Sequence, residues 1–194
     1  IYGRENMKKF LFLFIALAFF TGCDSKNDSE PADTVSEFFK KYQTSDSAVI
    51  SDLDDTLASD ASLTDDERSE YRDFFEKHYN DITYKIISTN INGNSANVET
   101  AVTVRNYASA INDANSYKST HESEFDMNKT FAKYRLDEMK KSNDVRTYTM
   151  NFTLTKTDEK WKMDPLNSMQ EDQLNGLYGV SLSVPSSDGS SLAE

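Results

Sequence analysis

Cysteine occurs once, at Cys23, which leaves no intrachain disulfide and no cysteine-rich metal site. Glycine is scarce, with six in 194 residues. No glycine-rich phosphate loop and no Gly-x-Ser-x-Gly elbow is present, so those nucleotide and hydrolase chemistries lack their backbone. The two histidines, His78 and His121, stand far apart, and neither His-x-x-x-His nor His-Glu-x-x-His spacing exists for zinc. No EF-hand spacing is found either, and no metal or cofactor is expected. Positive charge is in deficit: 21 Lys and Arg face 33 Asp and Glu, a net charge of −12. Such a surface repels phosphate backbones, so a nucleic-acid partner is not expected.

Long apolar runs are missing too. The longest, Phe10 to Phe20, is shorter than the about 20 residues of a membrane span. It follows Met7, the expected start, and the basic pair Lys8-Lys9, and it ends in Thr21-Gly22-Cys23. This is the layout of a secretory signal peptide, and "FTGC" resembles a bacterial lipobox. Residues 1–22 therefore read as leader and lipoprotein signal peptide, with Cys23 as the lipid-attachment residue and the membrane as its partner. Residues 23–33, small and polar, read as a flexible tether. Residues 34–178 suffice for one domain, and residues 179–194, Ser-rich, read as a disordered tail.

Within the domain, helical periodicity comes first. Thr34 and Glu37 suggest a capping box ahead of Val35, Phe38, Phe39 and Tyr42. Ser45 or Asp46 caps a segment carrying Val49, Ile50, Leu53 and Leu57. Thr64-Asp-Asp-Glu67 is a stronger box, followed by Tyr71, Phe74, Phe75 and His78 on one face. The period then changes to two. "ITYKIISTNI" and "NSANVETAVTVRNY" are β-branched and aromatic, and Asn92-Gly93 between them signals a tight antiparallel hairpin. Residues 109–143 return to helix, with Met127, Phe131, Tyr134 and Met139 as the stripe. "VRTYTMNFTLTKT", a turn at Asp158-Glu159 and "KWKMD" form a second hairpin, and a short helix is expected over 168–175. The fold class is α+β, a curved antiparallel sheet of about four strands with N-terminal helices and a helical insertion packed on it.

One stretch points elsewhere. "AVISDLDDTLAS" spells Asp-x-Asp-x-Thr with Asp52, Asp54 and Thr56, and resembles the nucleophile motif of haloacid-dehalogenase-like phosphatases. That chemistry needs both aspartates on one side of a strand. The apolar spacing instead predicts a helix, on which residues two apart diverge by about 200°. Thr89, Lys140 or Lys141, and Glu171-Asp172 are weak imitations of that family's later motifs. An Asp52 phosphatase is kept as an alternative, as is a hydrolase or isomerase acting through a buried acid. No catalytic residue is assigned.

"TVSEFFKKYQTSD", "EKHYNDITYKIISTNINGNSANVETAVTV" and "FTLTKTDEKWKMDPL" together resemble bacterial domains of the nuclear-transport-factor-2-like superfamily, across about residues 34–178. The resemblance implies a cystatin-like cone, a curved sheet with helices over its concave face. Tyr84, Tyr107, Tyr148 and Trp161 are candidates to line a cavity there, having apolar bodies and polar tips. The expectation is a non-enzymatic, lipid-anchored envelope protein binding a small ligand or an envelope protein.

Overall fold

The structure, a computed structural model, describes residues 30–126 and 129–181. Three helices lead: α1 (Pro31–Gln43), α2 (Ser47–Ser59) and α3 (Asp65–Asn80). Strands β1 (Thr83–Asn92) and β2 (Ser95–Arg105) form the first hairpin. Helices α4 (Ala108–Thr120) and α5 (Phe131–Lys141) make the insertion. Strands β3 (Val145–Thr157) and β4 (Lys160–Met163) and helix α6 (Ser168–Leu174) complete the chain. The four strands lie in the order β1-β2-β3-β4, every neighbouring pair antiparallel. The fold is α+β, as the change of period implies.

Local chemistry explains most boundaries. At α3 the Thr64 side chain accepts from Glu67 N while the Glu67 carboxylate takes the Thr64 N–H, a reciprocal cap. At α2 the cap is Asp46, whose carboxylate accepts from Ala48 N at 3.0 Å. Helix α1 departs from expectation. It starts at Pro31, inside the segment read as tether, and Thr34 N already bonds back to Glu30 O. Proline suits the first helical position because it lacks the N–H that would go unpaired there, and Pro31 is buried. The Thr34–Glu37 box consequently does not form. In the first hairpin Asn92 pairs with Ser95, so the loop is Gly93-Asn94, one residue later than Asn92-Gly93 suggests, with Gly93 at φ 59. The Asp158-Glu159 turn has both residues at positive φ, 50 and 61, as a two-residue hairpin loop of matching twist requires. The insertion is two helices rather than one, joined through a 3-10 turn at Glu122–Glu124, and Met127 lies outside the described residues.

One sheet face is filled. Helix α1 lays Val35, Phe38 and Phe39 on it; Phe39 stacks on Tyr84 with centroids 4.5 Å apart and meets Phe152 edge-on at 5.5 Å. The strand residues beneath, Val98, Thr100, Val102 and Phe152, are at most 1% exposed. Helix α3 adds Tyr71, Phe75 and Tyr79. Each such buried aromatic or aliphatic side chain contributes roughly 1.5–3 kcal/mol. The opposite face, with Thr147, Thr149, Thr153, Thr155 and Thr157 of β3 on it, is open to solvent.

Candidate functional site

The Asp-x-Asp-x-Thr stretch lies within α2, with Val49, Ile50, Leu53 and Leu57 buried beneath it. Asp52 and Asp54 therefore diverge around the helix. Asp54 is occupied by Arg72 of α3, whose Nε donates to it at 2.8 Å, and the Thr56 hydroxyl donates to Asp52 O of its own helix at 2.8 Å. Lys140 pairs with Glu70 and Lys141 with Glu138, while Thr89 is exposed on β1. These residues do not assemble the phosphatase geometry.

Asp52 has different company. It flanks the apolar stripe of α2, half-buried, and no hydrogen bond or ion pair engages its carboxylate among the described residues. Burial, with Asp55 adding to it, holds that carboxyl above the usual aspartate range. Close enough to act on it electrostatically is the hydroxyl of Tyr42, the last aromatic of the α1 stripe. Tyr42 is 1% exposed, and its hydroxyl is buried without a partner among the described residues. Burial first, then Asp52 and Glu171, push this phenol far above its ordinary range. Glu171, on α6, likewise has no partner among the described residues, and burial beside Asp172 raises it. The Tyr79 ring meets Tyr42 edge-on at 5.1 Å, and its hydroxyl donates to Asn175 Oδ1 at 3.0 Å. Asn175 lies one helical turn after Glu171, so the face of α6 that meets Tyr79 is also the face bearing Glu171. Tyr42 and Tyr79 thus pack ring against ring, and Asp52 of α2 and Glu171 of α6 each act electrostatically on the Tyr42 phenol.

The residue before Tyr79 builds a second cluster of opposite character. His78 is 4% exposed. Its Nε2 lies 2.8 Å from Leu174 O, which can only accept, so Nε2 carries the proton and Nδ1 accepts from the Tyr107 hydroxyl at 3.1 Å. Burial holds the imidazole neutral, pushed down to about 4. Next to Tyr107, Asn106 Nδ2 donates to the Tyr148 hydroxyl at 2.9 Å and its Oδ1 accepts from Ala108 N at 2.8 Å. Gly176 closes this cluster. Its carbonyl accepts from Tyr107 N at 2.7 Å, its φ is 70, and an added Cβ would sit 2.2 Å from Arg105 O.

The four aromatic candidates are placed as follows. Tyr107 and Tyr148 come together through Asn106, and both are engaged in the His78 cluster. Tyr84 shares the cross-strand row of Val102 and Tyr148 but is covered by Phe39. Trp161 pairs with Lys156, eight residues along β3 from Tyr148, or about 26 Å. One cavity does not gather all four. The sequence reading missed Tyr42 as a polar group, because the helical stripe accounts for its ring and is silent about its hydroxyl. It also missed a satellite of rings on the insertion, where Tyr117 stacks on His121 at 4.0 Å and meets Tyr134 at 5.2 Å. Cys23 and most of the Ser-rich tail lie outside the described residues.

No family model and no curated protein matches the chain. Among solved structures it is similar to that of a "putative lipoprotein (ycdA)" from Bacillus subtilis subsp. subtilis str. 168, at 16% identity and a TM-score of 0.38. The match covers 88% of this chain and 55% of the other, so this chain spans about half of that protein's length. Among the described residues no helix is long and apolar enough to cross a membrane.

Proposed function

We propose that the chain is a lipid-anchored protein of a bacterial cell envelope, held on the extracytoplasmic side through Cys23, whose domain is a binding module and not an enzyme. The cone-like domain is of the nuclear-transport-factor-2-like kind. The observation that carries the binding-module reading is the packed inner face of the sheet. Phe39, Val98, Thr100 and Val102 are 0% exposed, so the place where a cone would hold a substrate is occupied by the protein's own side chains. Recognition is then left to groups at the surface and at the helical end, and the target is a small ligand or another envelope protein. The anchor rests on the order of basic pair, apolar run and Gly22-Cys23 in the sequence. Two measurements test this reading. Cys23→Ser is expected to move the protein from the membrane pellet to the supernatant and to abolish labelling by palmitate; unchanged partition overturns the anchor. Wild type and Asp52→Asn are expected to show no magnesium-dependent phosphatase activity, and activity lost on Asp52→Asn would restore the enzyme.

A further inference from the structure

We propose that the open face of the sheet rests on the phosphate groups of an anionic phospholipid membrane, the one that holds the anchor. The inference rests on the lipid anchor proposed above and adds to it the side of the domain that lies against the lipid.

Charge is unevenly spread over the chain. Cross-strand partners share a face of a sheet, so the register assigns the open face residue by residue. Lys85 stands in a row with Ala101 and Thr149, Lys162 opposite Thr155, and Lys160 opposite Thr157. Arg105 and Glu99 lie on this face too, opposite Val145 and Asn151. Four cations thus stand with one carboxylate, on a chain whose net charge is −12. Helix α2, in the helical layer, carries three Asp and no Lys or Arg. Lys85, Lys160 and Lys162 are exposed, and none of them is in an ion pair among the described residues.

The spacing of the cations selects the partner. Lys85 and Lys162 lie six residues apart along the strands and three strands apart across them, or roughly 25 Å. No single small anion spans that distance, whereas a plane of phosphates meets every cation at once. The positions between are mostly Thr, Ser and Asn, whose hydroxyl and amide groups donate to phosphate oxygens. No aromatic ring lies in register on this face, and buried aromatic anchors are what a protein partner commonly needs.

The length of chain before α1 fits this placement. Seven residues, 24–30, separate Pro31 from Cys23, and the eight steps they span cannot stretch beyond roughly 28 Å. Gln43, at the end of α1, donates to Ile82 O at 2.7 Å beside the start of β1, while α1 also packs on β4, which pairs with the far end of β3. The Pro31 end of α1 therefore lies over β4, a four-residue edge strand. From there one layer of packing, roughly 10 Å, separates it from the open face around that edge.

The experiment reconstitutes the full lipidated chain in vesicles of phosphatidylglycerol and, separately, of phosphatidylcholine. A single exposed thiol is introduced by Thr149→Cys on the open face or by Ser69→Cys on α3, and its labelling by a membrane-impermeant maleimide is timed. The wild-type chain, whose one Cys thiol the lipid occupies, is the blank. Thr149→Cys is expected to react on the order of tenfold more slowly on phosphatidylglycerol than on phosphatidylcholine. Ser69→Cys is expected to react equally fast on both. Each lysine near an anionic leaflet strengthens association by about fivefold, so adding Lys85→Gln, Lys160→Gln and Lys162→Gln is expected to abolish the protection. Salt at about 1 M, where the screening length falls to about 3 Å, is expected to do the same. The proposal is overturned if Thr149→Cys reacts equally on both lipids, if Ser69→Cys is protected as well, or if the triple lysine change leaves protection intact. It is also overturned if protection rises with the number of chains per vesicle, since a second copy then covers the face. Thermal melts confirm that the variants fold. Flotation with the vesicles is read separately: a chain that floats but is labelled equally sinks this face and leaves the anchor standing, and a chain that does not float sinks both.

Discussion

Two neighbouring residues at the end of α3 face two different environments. His78 looks onto a cluster in which the polar atoms are matched: imidazole to Leu174 O and Tyr107, Asn106 to Tyr148 and Ala108 N. Tyr79 looks onto a cluster in which its own hydroxyl is matched but the Tyr42 hydroxyl beside it is not. Both clusters are buried, aromatic and built on α3 and the C-terminal segment. The first has the economy of a structural clamp, because buried polar networks stabilise only when complete. In the second, the Tyr42 hydroxyl is left without a hydrogen-bond partner among the described residues, which is costly to a fold. The difference teaches that two aromatic clusters one residue apart on α3 can be equally buried and yet differ in how completely their polar atoms are paired.

The comparison can be broken most violently at the clamp. Gly176→Ala puts a Cβ against Arg105 O at a positive φ, and is expected to cost about 3 kcal/mol or more in urea unfolding. A cost below about 1 kcal/mol would mean that the C-terminal segment is not fixed there. The next largest effect is pH-dependent. Burial keeps His78 neutral in the fold, with its pKa pushed down to about 4 from the ordinary 6.5. The unfolded chain therefore binds the extra proton first, and the stability due to His78 is fully present above about pH 6.5. It is lost progressively as pH falls toward 4, by about 3 kcal/mol at most. His78→Gln is expected to be less stable at pH 7 and to flatten that slope in chemical melts at a series of pH values.

Two hydroxyl deletions sharpen the contrast. Tyr79→Phe breaks the bond to Asn175 and is expected to cost about 1 kcal/mol. Tyr42→Phe removes an unpaired hydroxyl and is expected to be neutral or stabilising by up to about 1 kcal/mol. If both cost the same, the two clusters are not different in kind. The smallest effect belongs to Asp52. Its pKa is raised in the fold, so its ionisation opposes folding, and the opposition sets in as pH rises above the unfolded aspartate value. Asp52→Asn is expected to gain stability at pH 7, by well under about 1 kcal/mol because solvent still screens the half-buried carboxylate.

Much of the architecture was legible in local pattern. The stripe Val49, Ile50, Leu53 and Leu57 was enough to make α2 a helix against the pull of a phosphatase-like spelling, and the Thr64–Glu67 box marked the start of α3. Asn92-Gly93 located the first hairpin within one residue. The start of α1 was not legible, because Pro31 sits in a polar stretch whose composition resembles a linker. The candidate site was hardly legible at all. Tyr79 and Asn175 are 96 residues apart, as are His78 and Leu174, and no periodicity encodes such a contact. Asp52 was singled out for the wrong neighbour, Asp54, since a motif reads along the chain, whereas the Tyr42 phenol that it acts on belongs to another helix.

The early start of α1 has a mechanical consequence. With Pro31 packed into the domain, only seven residues of chain, 24–30, separate it from Cys23, and the eight steps they span cannot stretch beyond roughly 28 Å. A domain on so short a leash cannot patrol. With the proposed lipid on Cys23, it is confined to a thin layer of space above the membrane, and any target of the proposed binding module must already pass through that layer.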